Sequence, residues 1–183
     1  MSNRNLSIKD IGHIATFPIC ADMSSEDAKI FIRHLNGMEY EPEEEIFKQG
    51  ETSNDHLFIL LDGFVKLTTR MENFESTPVA LNKQGPHDVI GILSFIDGRQ
   101  HWASAHAVTS VRAAIVTRDD YQHFKDYHPS VAASLLQYLI VIADDLACQL
   151  LIQLSETQAY VHGSNHKSLG GGGFQAVKRI QFK

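Results

Sequence analysis

Residues 88–105 decide the fold, and they read DVIGILSFIDGRQHWASA. The apolar residues before Gly91 suit the end of a short strand, and those after it suit one turn of helix, a loop and a second strand. Backbone amides are free at a helix start and form an anion site there. The amides at this start belong to Ile92, Leu93 and Ser94. The sequence therefore predicts an anion-binding turn directly after Gly91.

The same stretch resembles the phosphate-binding cassette of cyclic nucleotide-binding domains. The family pattern there is a glycine, a glutamate, an apolar residue, a small residue and a leucine, then a short loop, an arginine, a serine or threonine, and an alanine. The glycine, the leucine, the small residue and the loop length fit this chain. The resemblance places the family glutamate on Ile92, the family arginine on Trp102 and the following serine or threonine on Ala103. The frame of the cassette is present, whereas its charged residues are replaced.

The resemblance implies a ligand site made of the cassette residues. They are Gly91, Ile92, Leu93, Ser94, Arg99, Trp102, Ala103 and Ser104. A buried charged partner is typically worth about 2–5 kcal/mol, and a hydroxyl acceptor about 1–3 kcal/mol. The loss of both is predicted to weaken cAMP binding by at least about two to three orders of magnitude. Arg99, three residues before Trp102, is the nearby cation that could pair with the phosphate in place of the missing arginine.

Short strands separated by Gly, Asp and Pro turns fill the region from Glu45 to Thr117. This pattern of short strands and turns predicts an antiparallel sandwich or barrel rather than a parallel sheet. Asp62-Gly63 lies between two strand-like runs and predicts a tight hairpin. We expect a mainly β protein with flanking helices: a jelly roll of the cyclic nucleotide-binding kind. The resemblance covers about residues 17–154 and implies the same fold.

Two helices are predicted outside the roll. Ser24 and Ser25 start a first one, which is expected to end near Asn36. Pro129 opens a long second helix that runs to about Gln158. Apolar residues at alternating steps of three and four form a seam along it: Leu136, Leu139, Ala143, Leu146 and Leu150. In the resembling family this helix pairs with its twin, so the resemblance implies a homodimer.

Four segments follow from these patterns. They are an N-terminal segment with a helix (1–38), the β-roll (39–127), the long helix (128–162) and a tail (163–183). The tail contains four consecutive glycines and four basic residues with no acidic one. A winged helix-turn-helix needs several tens of residues with three helices. We therefore expect no DNA binding from this chain.

Composition excludes several classes of function. The chain has 183 residues, 43% of them apolar, and a net charge of −6, which argues against a general nucleic-acid binder. The longest apolar run, near residues 139–143, is too short for a membrane span, and no signal peptide is seen. A soluble cytoplasmic protein is expected. No H-x-H pair, G-x-S-x-G motif or P-loop is present, so neither a metal site nor an enzyme is predicted.

The sequence as a whole predicts a non-enzymatic regulatory or sensor module that forms a homodimer and lacks the usual mode of cAMP binding. Three alternatives stay open. The domain binds a cyclic nucleotide through a non-standard pocket, or it holds another, less charged small molecule against the Trp102 ring. In the third, Trp102 fills the pocket and the domain is a ligand-free dimerisation scaffold for a partner protein. No cofactor is required by any of these readings.

Overall fold

The computed structural model describes residues 2–4, 6–52, 56–70 and 79–163. Its helices are α1 (Ile8–Ile14), α2 (Ser25–Arg33), α3 (Ile92–Asp97), α4 (Arg118–Tyr127) and α5 (Pro129–Gly163), with a 3-10 turn at Pro18–Cys20. Its strands are β1 (Ser2–Arg4), β2 (Asn36–Tyr40), β3 (Glu45–Phe47), β4 (His56–Asp62), β5 (Val65–Thr69), β6 (Val79–Gln84), β7 (Val89–Ile90), β8 (Ser104–Ala107) and β9 (Val111–Thr117). The predicted tail, 163–183, lies almost entirely outside the described residues.

The strands form two antiparallel sheets. One has the order β1-β2-β9-β4-β7 and the other the order β3-β8-β5-β6. Strands that are distant in sequence pair with each other, as β3 does with β8 and β2 with β9. This is a jelly-roll arrangement with flanking helices, so the predicted fold class is confirmed.

The core lies between the two sheets. Its members are apolar side chains contributed by both of them: Tyr40, Ile46, Phe47, Phe58, Leu60, Val65, Ile90, Ala105, Ala107, Val111, Ala113 and Ile115. Strand β8 alternates half-buried and buried residues, as expected of a strand with one face on a core. Strand β4 is buried along almost its whole length, because it is central in its sheet.

Two local predictions are wrong. Asp62-Gly63 joins β4 to β5, but these strands belong to different sheets, so the segment is a corner between sheets and not a hairpin. Helix α2 ends at Arg33 and not near Asn36, since Asn36 already pairs with Ile115 of β9. In both cases pairing with a distant strand overrides the local pattern.

Helix α5 is the longest element, and Pro129 opens it as predicted. The chain divides into two compact units, Met1–Val141 and Ile142–Lys183. The first carries the roll and the early turns of α5, and the described part of the second is helical up to Gly163. The sequence analysis considered only the short apolar run near residues 139–143, whereas the helix as a whole is longer. Within the described part of the chain, Pro129–Gln158 is long and apolar enough, by length and composition alone, to cross a bilayer.

A partly buried ion pair ties the N-terminal helix to the roll. Asp10 accepts hydrogen bonds from the Ser7 hydroxyl at 2.6 Å, the Ser7 backbone N–H at 3.1 Å and Arg112 Nη1 at 2.7 Å. The Ser7 hydroxyl bond is the largest influence on the pKa of Asp10, which lies below its usual value; the Ser7 amide and Arg112 act in the same direction, and burial opposes them. Folding is therefore coupled to ionisation of this carboxyl.

Asp10→Asn is expected to lower the free energy of unfolding at neutral pH by about 1–3 kcal/mol, because a buried charged acceptor is lost. A lowered folded-state pKa contributes stability that is complete above the unfolded value of about 3.9 and disappears as pH falls through the folded value. The difference in free energy of unfolding between wild type and Asp10→Asn should therefore become smaller below about pH 4. Urea unfolding at several pH values measures it.

Asp62→Asn is the matched control. Asp62 also faces Arg112, at 3.8 Å, but its side chain is 66% exposed. An exposed ion pair contributes about 0–1 kcal/mol, so this variant should stay close to wild type at every pH. Equal losses in the two variants would contradict the role given to the buried Asp10 carboxyl.

Candidate functional site

The predicted cassette is built around one glycine. Gly91 follows β7, begins α3 and has a left-handed backbone, with φ 83° and ψ 13°. A Cβ at this position would lie 2.7 Å from the backbone oxygen of His56 and 3.3 Å from the ring of Phe58. Only glycine allows both the backbone angle and the close approach of β4. The predicted strand, glycine and helical turn are therefore confirmed.

A buried serine and histidine hold the cassette helix to the loop that follows it. Ser94 donates its hydroxyl proton to the Gly91 carbonyl at 3.0 Å. The same oxygen lies 3.0 Å from His101 Nδ1, and since its one proton is already used, His101 Nδ1–H donates to it. Ser94 is 4% exposed and His101 5% exposed. The bond fixes the His101 tautomer inside the roll.

Aromatic rings occupy the space beneath the cassette. The His101 ring stacks on Phe47 with centroids 4.1 Å apart and an angle of 13° between planes. Phe47 in turn contacts Phe58, at 5.8 Å, and both phenylalanines are in the core between the sheets. At 4.1 Å the two stacked rings are in direct contact, so no flat ligand ring fits between them.

The backbone around His101 is also fixed. Its N–H donates to the Glu51 carbonyl at 3.0 Å, and its carbonyl accepts from the Gly50 N–H at 2.9 Å. Sequence reasoning did not identify His101, Phe47 or Gln49 as residues of the site. The Gln49 amide side chain forms two bonds with the backbone of Arg70, at 2.7 and 3.1 Å. No local signal marks these residues, because their partners lie in other strands.

The residues at the positions of the family glutamate and arginine differ in exposure. Ile92, in the place of the family glutamate, is buried at 9% exposure and faces the core. Trp102, in the place of the family arginine, is 66% exposed, and its carbonyl accepts a bond from the Thr69 hydroxyl at 3.2 Å. The alternative in which the Trp102 side chain fills the pocket is therefore not supported. The rings inside the roll are those of Phe47, Phe58 and His101.

The Arg99 guanidinium is paired with Asp97. Its Nε donates to Asp97 Oδ2 at 2.6 Å, and a second guanidinium nitrogen contacts the same oxygen. The bond from Arg99 holds the pKa of Asp97 below its usual value, and Asp97 in turn raises the pKa of Arg99. Arg99 is thus engaged by the carboxylate of Asp97, at the end of α3.

The other predicted cassette residues have mixed positions. Leu93 is 45% exposed on α3, Ala103 is half-buried, and the half-buried Ser104 accepts a bond from the Gln49 N–H at 3.0 Å. Residues 71–78, between β5 and β6, lie outside the described residues. Within the described ranges, no group of three or more His, Cys, Asp or Glu side chains is placed to hold a metal ion.

The predicted seam on α5 is exposed in only one part. Leu139 is 1% exposed and belongs to the core of the first unit, and Leu136 is half-buried. Ala143 is exposed, as are Leu146 at 43% and Leu150 at 65%. Leu139 is therefore not free to contact a second chain, and the candidate interface begins after it.

Comparison with known proteins points to one family. Residues 38–128 match the family model of the cyclic nucleotide-binding domain. A CRP-like cAMP-activated global transcriptional regulator of Mycobacterium tuberculosis is 31% identical over 94 residues, which are 51% of this chain and 41% of that protein. This chain thus spans about two fifths of the length of the curated relative it matches.

Two solved structures show the same architecture. The catabolite activator protein of Thermus thermophilus is 25% identical, with a TM-score of 0.61, over 73% of this chain and 62% of that one. The regulatory subunit of a cAMP-independent protein kinase A from Trypanosoma brucei, a mutant bound to cAMP in the A site, is 20% identical, with a TM-score of 0.62. The matched region covers 73% of this chain and 45% of the Trypanosoma brucei chain.

Proposed function

This chain belongs to the cyclic nucleotide-binding domain family, and from that premise we propose that it is a non-enzymatic regulatory module that does not hold cAMP in the usual way. One observation carries the proposal. The position of the family glutamate holds Ile92, which is buried, and the position of the family arginine holds Trp102, which is exposed. The cassette has kept its backbone frame around Gly91 and lost both charged contacts.

The missing side chains act on different parts of a cyclic nucleotide. An arginine pairs bidentately with the cyclic phosphate, and a carboxylate accepts the ribose hydroxyl. Ile92 carries no acceptor for the ribose hydroxyl, and Arg99 is already bound to Asp97. The expected loss of about 3 kcal/mol or more corresponds to at least two decades in affinity.

Loss of cyclic-nucleotide control has a parallel among similar folds. The Trypanosoma brucei protein is described as the regulatory subunit of a cAMP-independent kinase. From that protein we take only one analogy for this chain, namely that a module of this fold can regulate without cAMP. Since the chain spans about two fifths of its curated transcriptional relative, DNA binding is not carried over.

The second part of the proposal is dimerisation through the exposed portion of α5. Leu146 and Leu150 lie four residues apart, on one side of the helix, and both are exposed. Two such helices side by side would bury these leucines against each other. We place the module in the cytoplasm, paired with a second copy and acting on a separate protein partner.

Three alternatives differ from this proposal at the site. A ligand-free scaffold is favoured by the contact between Phe47 and His101, which fills space beneath the cassette. A flat, less charged ligand is favoured by the accessible face of Trp102, since an indole stacks on planar rings. A cyclic nucleotide bound through a non-standard pocket requires Arg99 to leave Asp97.

Titration with cAMP and with cGMP tests the proposal. Trp102 is the single tryptophan of the chain and is exposed at the cassette, so its fluorescence reports on the site, and calorimetry gives an independent measurement. We expect no saturation at micromolar nucleotide. Saturation there would overturn the ligand part. A melting temperature raised by one member of a metabolite panel would favour a different ligand over the scaffold.

A further inference from the structure

A tight turn before the cassette holds a histidine in a backbone conformation that favours glycine. The Asp88 N–H donates to the Gly85 carbonyl at 3.1 Å and closes a four-residue turn. Pro86 is its second residue, and His87, with φ 76°, is its third. This is the pattern of a type II turn, whose third position usually carries Gly or Asn. A histidine in this conformation costs free energy, which other contacts must offset.

The turn is fixed to the centre of the roll. The His87 N–H donates to the Leu60 carbonyl at 2.9 Å, and the Leu60 N–H donates to the Asp88 carbonyl at 2.9 Å. Leu60 belongs to β4, and β7 begins at Val89, directly after the turn. The turn therefore sets where β7 starts, and β7 leads into the cassette.

The contact that offsets the strain comes from the N-terminal part of the chain. The His87 ring stacks on Phe17, with centroids 4.2 Å apart and an angle of 27° between planes. His13 meets both rings edge-on, at 4.8 Å from Phe17 and 5.3 Å from His87. Phe17 is 1% exposed. A glycine would suit the turn but could not make this contact. We call residues 8–20, from α1 to the 3-10 turn, the strap.

The early part of α5 lies beside the same junction. Burial raises the pKa of Tyr138, and Asp88 and Cys20 act in the same direction. Tyr138 is therefore close enough to both residues for their charges to act on it. Asp88 belongs to the turn and Cys20 to the strap, and all three residues lie in the first compact unit. The strap, the turn and α5 thus meet at one place.

We infer that the strap controls the cassette through His87. The strained turn is stable only while Phe17 packs on the His87 ring, so a partner that lifts the strap also releases the turn and loosens the cassette. The strain is essential to this device, because a turn with glycine at position 87 is stable without the strap. The inference goes beyond the proposed function, since it concerns how the cassette is held and applies whether or not a ligand is bound.

Amide hydrogen exchange of the full chain, measured by mass spectrometry, tests the inference. His87→Ala removes the ring and keeps the unfavourable backbone, so exchange should become about two- to tenfold faster in the strap and in residues 88–97. His87→Gly removes the ring and the strain together, so only the strap should exchange faster. His87→Asn, which also tolerates a left-handed backbone, should behave as His87→Gly does. His106→Ala, in β8, is the matched control and should resemble wild type in both regions.

A second pair of variants approaches the contact from the strap. Phe17→Leu should accelerate exchange in residues 88–97 of the wild-type background but not in the His87→Gly background. Ile14→Val removes a similar volume from a buried position of α1 and leaves the rings in place, so it should affect the strap alone.

Three results would overturn the inference. If His87→Ala and His87→Gly change the exchange of residues 88–97 equally, the strain plays no part. If neither variant changes the exchange of the strap, the ring contact does not hold it. If Ile14→Val loosens residues 88–97 as much as Phe17→Leu does, the effect is a general loss of packing and not a property of the His87 contact.

Discussion

Gly91→Ala is expected to lower the free energy of unfolding by about 2–5 kcal/mol, which is a large part of the stability of a small domain. Two costs act together. A left-handed backbone costs a non-glycine residue about 1–3 kcal/mol. The new Cβ would also lie 2.7 Å from the His56 carbonyl oxygen, and this oxygen belongs to β4 and has little freedom to move. Urea unfolding, with the midpoint and the slope fitted separately, measures the loss.

Gly50→Ala is the control for this prediction. Gly50 has the same φ of 83°, but a Cβ there meets nothing within 4 Å. It should therefore show only the backbone cost, about 1–2 kcal/mol. The difference between the two variants isolates the close approach of β4 to the cassette. Equal losses would show that the cassette tolerates a side chain at Gly91, and that the tight contact with β4 is not needed for its shape.

Local signals explain why much of the fold was predictable. Gly91 and Pro129 act on their own backbone, so their effect can be read without knowing the partners of the surrounding strands. The alternation of strands and turns between residues 45 and 117 likewise depends on near neighbours. The hairpin predicted at Asp62-Gly63 failed because strand pairing is set by distant residues: β4 pairs with β9 and β7, and not with β5.

The interior of the site was not predictable for the same reason. The His101 ring packs on Phe47, which lies in β3. Because Phe47 is distant in sequence, the residues next to His101 do not predict this contact. Only one of the open alternatives placed Trp102 inside the pocket. His101 and Trp102 precede β8, so the alternation of a strand does not decide which of them faces inward. The structure buries His101 against Ser94 and Phe47 and leaves Trp102 exposed.

The helical seam shows a further limit of sequence patterns. A spacing of three and four residues identifies an apolar face but does not say what covers it. Leu139 packs in the core of its own unit, whereas Leu146 and Leu150 are exposed. One continuous apolar pattern along α5 therefore contains residues that pack in the core and residues that are exposed, and only the structure distinguishes them.

Ile92→Glu combined with Trp102→Arg is expected to raise the affinity for cAMP by about two to three decades over wild type. The two changes supply the carboxylate for the ribose hydroxyl and the guanidinium for the phosphate. Gly91 already provides the backbone frame. Because Trp102 is exposed, its replacement removes little packing, whereas Ile92 is buried and its replacement places an unpaired carboxyl in the core.

The ligand-free double variant should therefore be less stable than wild type and regain stability when cAMP binds, so that its melting temperature rises with nucleotide concentration. Calorimetry gives the affinity, and each single variant should gain less than the pair. Ile92→Gln with Trp102→Met is the uncharged control of similar size. A 2′-deoxy analogue of cAMP should lose the part of the gain that comes from the introduced carboxylate.

A folded double variant that shows no gain would contradict the claim that the missing charged side chains weaken binding. The stack of Phe47 on His101 would then be the obstacle, since it fills the space beneath the cassette whichever residues occupy the charged slots. Adding Phe47→Ala to the double variant separates these causes. If the rings block entry, only the triple variant binds cAMP; if the charges were the missing part, the double variant binds without it.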